Sequence, residues 1–229
     1  VRVLLSTYGR ALTKAAMPRV ESRPQRAAEL IATQFDVVLG AAAGCDVVVV
    51  TGMLPAAAGA LSVAEKLGIR SVSVTFQQLT VPSLDRPPLA YPGRPLPDGV
   101  TDSRVLWEFD AESNNTMFGE ALNTNRVANG LPPVDDIRDY VVGAEPWVAT
   151  APVLDPLNTV VEAVQTGAWI LLDERPWSDE LIAFLDAAEP PVYVGFGSMP
   201  MHESTDVAQV AIEAAGGAGA SLDSQEWLG

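Results

Sequence analysis

The stretch "CDVVVVTGMLPAAAGALSVAEKLGIRSVSVTF", Cys45 to Phe76, decides the fold class. Its two Val-rich runs, "CDVVVVTG" and "RSVSVTF", are short, largely apolar and bounded by Gly or polar turns, as parallel strands covered on both faces are. The Ala-rich segment between them carries its charges near its end and stops at Gly68, which predicts a helix with a glycine C-cap. Strand, helix, strand is one βαβ unit, and the class is α/β.

Working outward, Pro24 to Leu39 places Ala28, Leu30, Ile31, Phe35 and Val38 at helical spacing, so a helix packs on the sheet before Cys45. The start, "VRVLLST", reads as a further strand. From Thr80 to Gly99 the chain carries Pro82, Pro87, Pro88, Pro92, Pro95 and Pro97, which denies it helix and central strand. A surface loop of that length in a compact domain usually has a function. Helical patterning resumes around Trp107, Met117, Phe118 and Leu122. A turn and short helix follow in "GLPPVDDIRDYV", then a short strand in "EPWVAT".

Beyond Pro156, "TVVEAVQTGAWILL" suggests a strand crossing between domains. "SDELIAFLDAA" is a helix with Ser178 as N-cap, and "PPVYVGFGS" is a strand entering a glycine turn. The boundary falls near residues 156–175, giving domains 1–160 and 161–229. Trp107, Trp147 and Trp169 sit in apolar surroundings and are expected in the core.

A formal charge of −15, from 29 acids against 14 bases, disfavours nucleic acid and anionic membrane as partners. With 48% hydrophobic residues there is material for a core, so disorder throughout is not expected. The single cysteine, Cys45, excludes an internal disulfide framework and reads as a packing residue. No signal peptide and no membrane-length apolar run is visible, which predicts a cytoplasmic protein. One histidine and one cysteine cannot build a zinc site, so no metal is expected.

Two strand ends carry candidate chemistry. "STYGR" brings Gly9 and Arg10, and "GFGSMP" brings Gly197 and Ser198, to glycine turns where backbone amides and a hydroxyl can meet an anion. In open α/β sheets, ligands bind at the carboxyl ends of strands. The plain alternatives are a solvated Arg10 and an ordinary tight turn at Gly197. His202, just beyond that turn, is either a phosphate contact or base, or an uninvolved loop residue. The Gly-X-Gly-X-X-Gly fingerprint of nicotinamide-dependent oxidoreductases is missing.

Six segments together resemble one family, the glycosyltransferases that decorate glycopeptide antibiotics of the vancomycin and teicoplanin type. They are "RVLLST" (Arg2–Thr7), "IATQFD" (Ile31–Asp36), "VAEKLGI" (Val63–Ile69), "GLPPVDD" (Gly130–Asp136), "QTGAWILLDERP" (Gln165–Pro176) and "FLDAAEPPVYVGFGS" (Phe184–Ser198). The resemblance implies the GT-B fold, two Rossmann-like domains facing across a cleft, with the second only partly represented here. It implies an N-terminal domain that holds a glycopeptide aglycone and a C-terminal domain that holds a dTDP- or UDP-sugar. The implied transfer is inverting and independent of metal or other cofactor, the sugar nucleotide serving as cosubstrate. Donor contacts would fall to Gly9, Arg10, Gly197 and Ser198, and acceptor contacts to Phe76, Gln77, Gln78 and Pro82, with the proline-rich loop lining the acceptor cleft.

Departures accompany the likeness. The family's basic aspartate follows a glycine-arginine-glycine turn, whereas Arg10 here runs directly into "ALTKAAMPRV", so the resemblance supplies no catalytic residue. "GGAG" at Gly216–Gly219 is either a remnant of the family's donor signature or a coincidence of composition. The resemblance therefore implies a longer parent enzyme. The alternative is a shortened relative, a non-catalytic α/β module that binds aglycone without turnover.

Overall fold

The computed structural model describes residues 23–90, 94–172 and 174–187, together with positions 210, 213 and 214. The expected first strand, Gly9, Arg10, Gly197, Ser198 and His202 lie outside the described residues. The chain divides into two compact units, Val1–Ile170 and Leu171–Gly229.

In the first unit the order is α1 (Arg23–Ala42), β1 (Val47–Val50), α2 (Leu54–Leu67), β2 (Arg70–Thr75) and a 3-10 turn at Gln78–Thr80. Then come α3 (Ser103–Asn114), a π-turn (Asn115–Gly119), α4 (Glu120–Ala128), α5 (Ile137–Val142), β3 (Trp147–Val148) and β4 (Val164–Gln165). The four strands form one parallel sheet in the order β1-β2-β3-β4. The α/β class and the βαβ unit at its heart are as the sequence predicts. α2 ends as expected on Gly68, whose φ of 66° suits glycine. Ile69 N–H and Gly68 N–H then close the last turn onto the carbonyls of Ala64 and Glu65.

Alternation along β1 sends Val48 and Val50 toward α1 and α2, where Phe35, Val38, Leu61 and Val63 complete the main core. A second cluster, Ile31, Ala58, Leu122 and Ile137, ties α1 and α2 to α4 and α5. Val72 and Val74, with Ala149 and Trp147, pack on the sheet's other face. On that face Val47 and Val49 remain half exposed, so β1 is covered by described residues on one side only.

α1 and α2 touch at Gly59. A Cβ there would stand 2.8 Å from the Ile31 carbonyl oxygen and 3.2 Å from Gln34 Cβ. Ala normally gains ~1 kcal/mol over Gly inside a helix. Here backbone must move, at roughly 1–3 kcal/mol for overpacking. Gly59→Ala is therefore expected to lose about 1 kcal/mol in urea denaturation; a gain would show that the helices separate freely.

Three features depart from the sequence reading. The strand expected across "TVVEAVQTGAWILL" is only two residues long and joins the sheet of the first unit. Trp169 is half exposed rather than core; it meets Phe76 and Trp147 edge-on at 5.7 and 6.4 Å, and its indole N–H donates to Thr166. Past Thr80, which ends the 3-10 turn, the described residues of the proline-rich segment form no helix, yet they are not all surface: Val81 and Ser83 are buried.

In the second unit the described element is α6 (Asp179–Asp186). Ser178 caps it, its Oγ accepting from Leu181 N–H at 3.2 Å, with Asp179 and Glu180 in the first turn. No described helix is long and apolar enough to cross a membrane.

Candidate functional site

A cavity of about 850 Å³ opens within the first unit at the carboxyl ends of β1 and β2. The strands deliver Thr51 and Gly52 on one side and Phe76 and Gln77 on the other. Helices close the far wall with Trp107, Met117 and Phe118, and the proline-rich segment adds Pro88, Leu89 and Ala90. Its position is the one that parallel α/β sheets use for ligands.

Of the four residues expected to touch an acceptor, Phe76 and Gln77 line this cavity, and Phe76 is half exposed at it. Gln78 and Pro82 are buried and are not among its lining residues. Gln78 Nε2 donates to the carbonyls of Asp155 (2.8 Å) and Pro156 (3.0 Å). Its Oε1 accepts from Arg86 Nη2 (2.6 Å) and Asn158 N–H (2.9 Å). All four positions of the amide are taken. Gln165 grips the same turn, its Nε2 also donating to Asp155 O at 2.8 Å, so these two glutamines hold the wall from behind.

The polar end of the cavity escaped the sequence reading. Asp110 and Asn114 lie one turn apart on the buried face of α3. Asp110 is 7% exposed, and Asn114 Nδ2 donates to its Oδ2 and its carbonyl, both at 3.0 Å. Arg138 on α5 also lines the cavity, with Nη1 4.0 Å from Asp110 Oδ2, beyond hydrogen-bond reach. Arg138 is engaged elsewhere, donating to Asp139 Oδ1 and to the Trp107 carbonyl and lying over the Trp107 ring. Burial pushes the Asp110 carboxyl up to about 6, against the opposing pull of Arg138. The signal available in sequence was a carboxylate continuing the helical face of Leu106 and Trp107.

The raised value has a consequence for stability. Between the ordinary carboxylate range and about pH 6 the folded protein holds a proton that the unfolded chain releases, so stability falls as pH rises through that window. Asp110→Asn removes the buried charge. It is expected to stabilise the fold by about 1–2 kcal/mol at pH 7.5 and to do almost nothing at pH 4. Guanidinium denaturation at both pH values checks this, and destabilisation at pH 7.5 would mean that the carboxylate is well solvated.

Fold and cavity together define a Rossmann-like α/β domain with a ligand site at its strand ends. No family model matches the chain. It is 52% identical over 190 residues to glycosyltransferase GtfE and 50% identical over 187 residues to vancomycin aglycone glucosyltransferase. It is 42% identical over 218 residues to dTDP-epi-vancosaminyltransferase; all three are from Amycolatopsis orientalis. The matches take in 81, 81 and 93% of this chain and 45, 45 and 51% of those proteins. The chain is thus a relative of the glycosyltransferases of vancomycin-type glycopeptide biosynthesis, and it spans about half their length. The α/β fold, with its parallel sheet in the first unit, agrees with the GT-B expectation.

Proposed function

We propose that the chain supplies the acceptor-binding half of a cytoplasmic glycosyltransferase that moves a sugar from a dTDP- or UDP-sugar to a hydroxyl of a glycopeptide aglycone. The observation that carries this reading is the 850 Å³ cavity at the strand ends of the first unit, in a chain 42–52% identical to enzymes of that class. Its aromatic and aliphatic walls suit a large, partly aromatic acceptor, and few polar groups interrupt them. Gly9, Arg10, Gly197 and Ser198 are the proposed donor contacts. Transfer would proceed with inversion and without metal, the leaving diphosphate being met by backbone amides, a helix end and hydroxyls.

The second reading, aglycone binding without turnover, is favoured by one feature of the sequence: no aspartate follows Arg10 at the place the family's base occupies. Incubation with vancomycin aglycone and either sugar nucleotide, followed by mass spectrometry, separates the two. A product heavier by one sugar supports transfer. Bound but unmodified aglycone supports the module, and neither binding nor transfer rejects both.

A further inference from the structure

The geometry points to a cation subsite: we propose that the Asp110–Asn114 end of the cavity receives a protonated amine carried by the acceptor. This rests on the reading of the cavity as the acceptor site and names a chemical feature of what it accepts.

Hydrogen-bond accounting carries the argument. Asn114 is 1% exposed, and its Nδ2 faces two acceptors, the Asp110 carbonyl and carboxylate. That fixes the amide orientation, because the flipped form would set oxygen against oxygen. Asn114 Oδ1 is then left buried with no donor. Asn114 Oδ1 is thus an unmet buried acceptor one helical turn from the Asp110 carboxyl at the cavity wall, and such an acceptor is costly. What is lacking is a donor-rich group.

Charge selects among donors. The charged groups acting on Asp110 are Arg138 on α5 and Asp136 at its N-cap, with Asp139 bonded to Arg138, Arg94 bonded to the Ser113 carbonyl and Arg26 on the cavity wall. Arg138 pairs with Asp139 at 2.7 Å and also pulls on Asp110 from 4.0 Å, so one guanidinium is shared among the carboxylates of Asp110, Asp136 and Asp139 and the local balance stays negative. A neutral hydroxyl entering the cavity would displace water from the carboxylate and give back one hydrogen bond. An ammonium offers at least two N–H donors and a compensating charge. Met117, Phe118 and Trp107 beside the acidic end suit an apolar body attached to that cation. Since burial already holds the Asp110 carboxyl near 6, an incoming cation would keep it ionised, and affinity should rise with pH through that value.

The test uses two probes of one shape, 3-phenylpropylammonium and 3-phenylpropan-1-ol, titrated into the intact chain and followed by tryptophan fluorescence and saturation-transfer NMR. At pH 7.5 the ammonium is expected to bind about tenfold more tightly than the alcohol. At pH 5.0 that preference should shrink to about twofold as Asp110 takes up its proton. Asp110→Asn should abolish it at both pH values, and Asn114→Leu should weaken the ammonium while sparing the alcohol. The wild-type pH profile needs no variant to fold. Equal affinities at pH 7.5, a preference that survives at pH 5.0 or in a folded Asp110→Asn, or no binding of either probe would overturn the proposal. Vancomycin aglycone titrated in parallel keeps the two readings apart: aglycone binding without an ammonium preference sinks the cation subsite alone. An ammonium preference without aglycone binding sinks the acceptor reading.

Discussion

Replacing Glu65 with leucine is expected to lower the unfolding free energy by about 3 kcal/mol, because it strands a buried guanidinium. Arg126 on α4 is 1% exposed, and Glu65 on α2 takes both of its terminal nitrogens, at 2.8 and 3.0 Å. The same guanidinium donates to Ser62 Oγ, the Tyr140 hydroxyl and the Pro132 carbonyl, and lies 4.8 Å from the Tyr140 ring centroid. One side chain therefore joins α2, α4, α5 and the turn between the last two. The asymmetry of the pair decides which partner matters more. Glu65 is 40% exposed and would find water if Arg126 were removed, whereas Arg126 has no route to solvent.

A double-mutant cycle makes this measurable: Glu65→Leu combined with Arg126→Met should recover most of the loss, since removing both charges leaves none uncompensated. The Arg126 hydrogen bond, countered by partial burial and helped by the arginine's charge, holds the Glu65 carboxyl below its usual range. Its contribution is complete above that range and is lost as pH falls through the lowered value. Glu65→Leu should thus flatten the acid limb of the stability curve. A loss under about 1 kcal/mol would mean that water reaches Arg126.

Gln78→Leu is the second large effect, also about 3 kcal/mol. Leucine fills much of the space but leaves the Pro156 carbonyl and the Asn158 N–H without the partner that Gln78 gives them, while the Asp155 carbonyl keeps Gln165 and Arg86 Nη2 keeps the Asn158 carbonyl. Unmet buried groups cost roughly 1–3 kcal/mol each, reduced where the turn can open to water. Hydrogen exchange should localise the damage, with the Asp155, Leu157 and Asn158 amides losing protection first. Because Arg86 O also accepts from Trp107 Nε1 at 2.8 Å, the cavity wall loosens with it. Unchanged exchange in that turn would show that Gln165 suffices alone.

These two networks explain where sequence reading stopped. The βαβ unit was legible because it is local: Val runs, an Ala-rich helix and Gly68 fall within 32 residues and follow simple periods. Gln78 meets Asp155 and Asn158 across 77 and 80 positions, and Arg126 meets Glu65 across 61, so nothing near either residue announces its partner. Asp110 and Asn114 were missed; their one signal was a pair of polar residues on an apolar helix face. The π-turn at Asn115–Gly119 had no such signal, since it depends on tertiary contact: Asn115 Oδ1 accepts from Ile137 N–H at 2.9 Å at the start of α5. That turn carries Met117 and Phe118 to the cavity. Trp169 was misplaced because the apolar neighbours it has in sequence, Ile170, Leu171 and Leu172, are themselves exposed in space.

The acceptor reading is tested most directly by calorimetric titration of vancomycin aglycone into the chain and into Phe76→Ala, which trims the half-exposed aromatic at the cavity. The expected result is saturable one-to-one binding, weakened about tenfold by the substitution with the fold intact. Absence of saturable binding, or binding indifferent to Phe76, would contradict the assignment of this cavity to the acceptor.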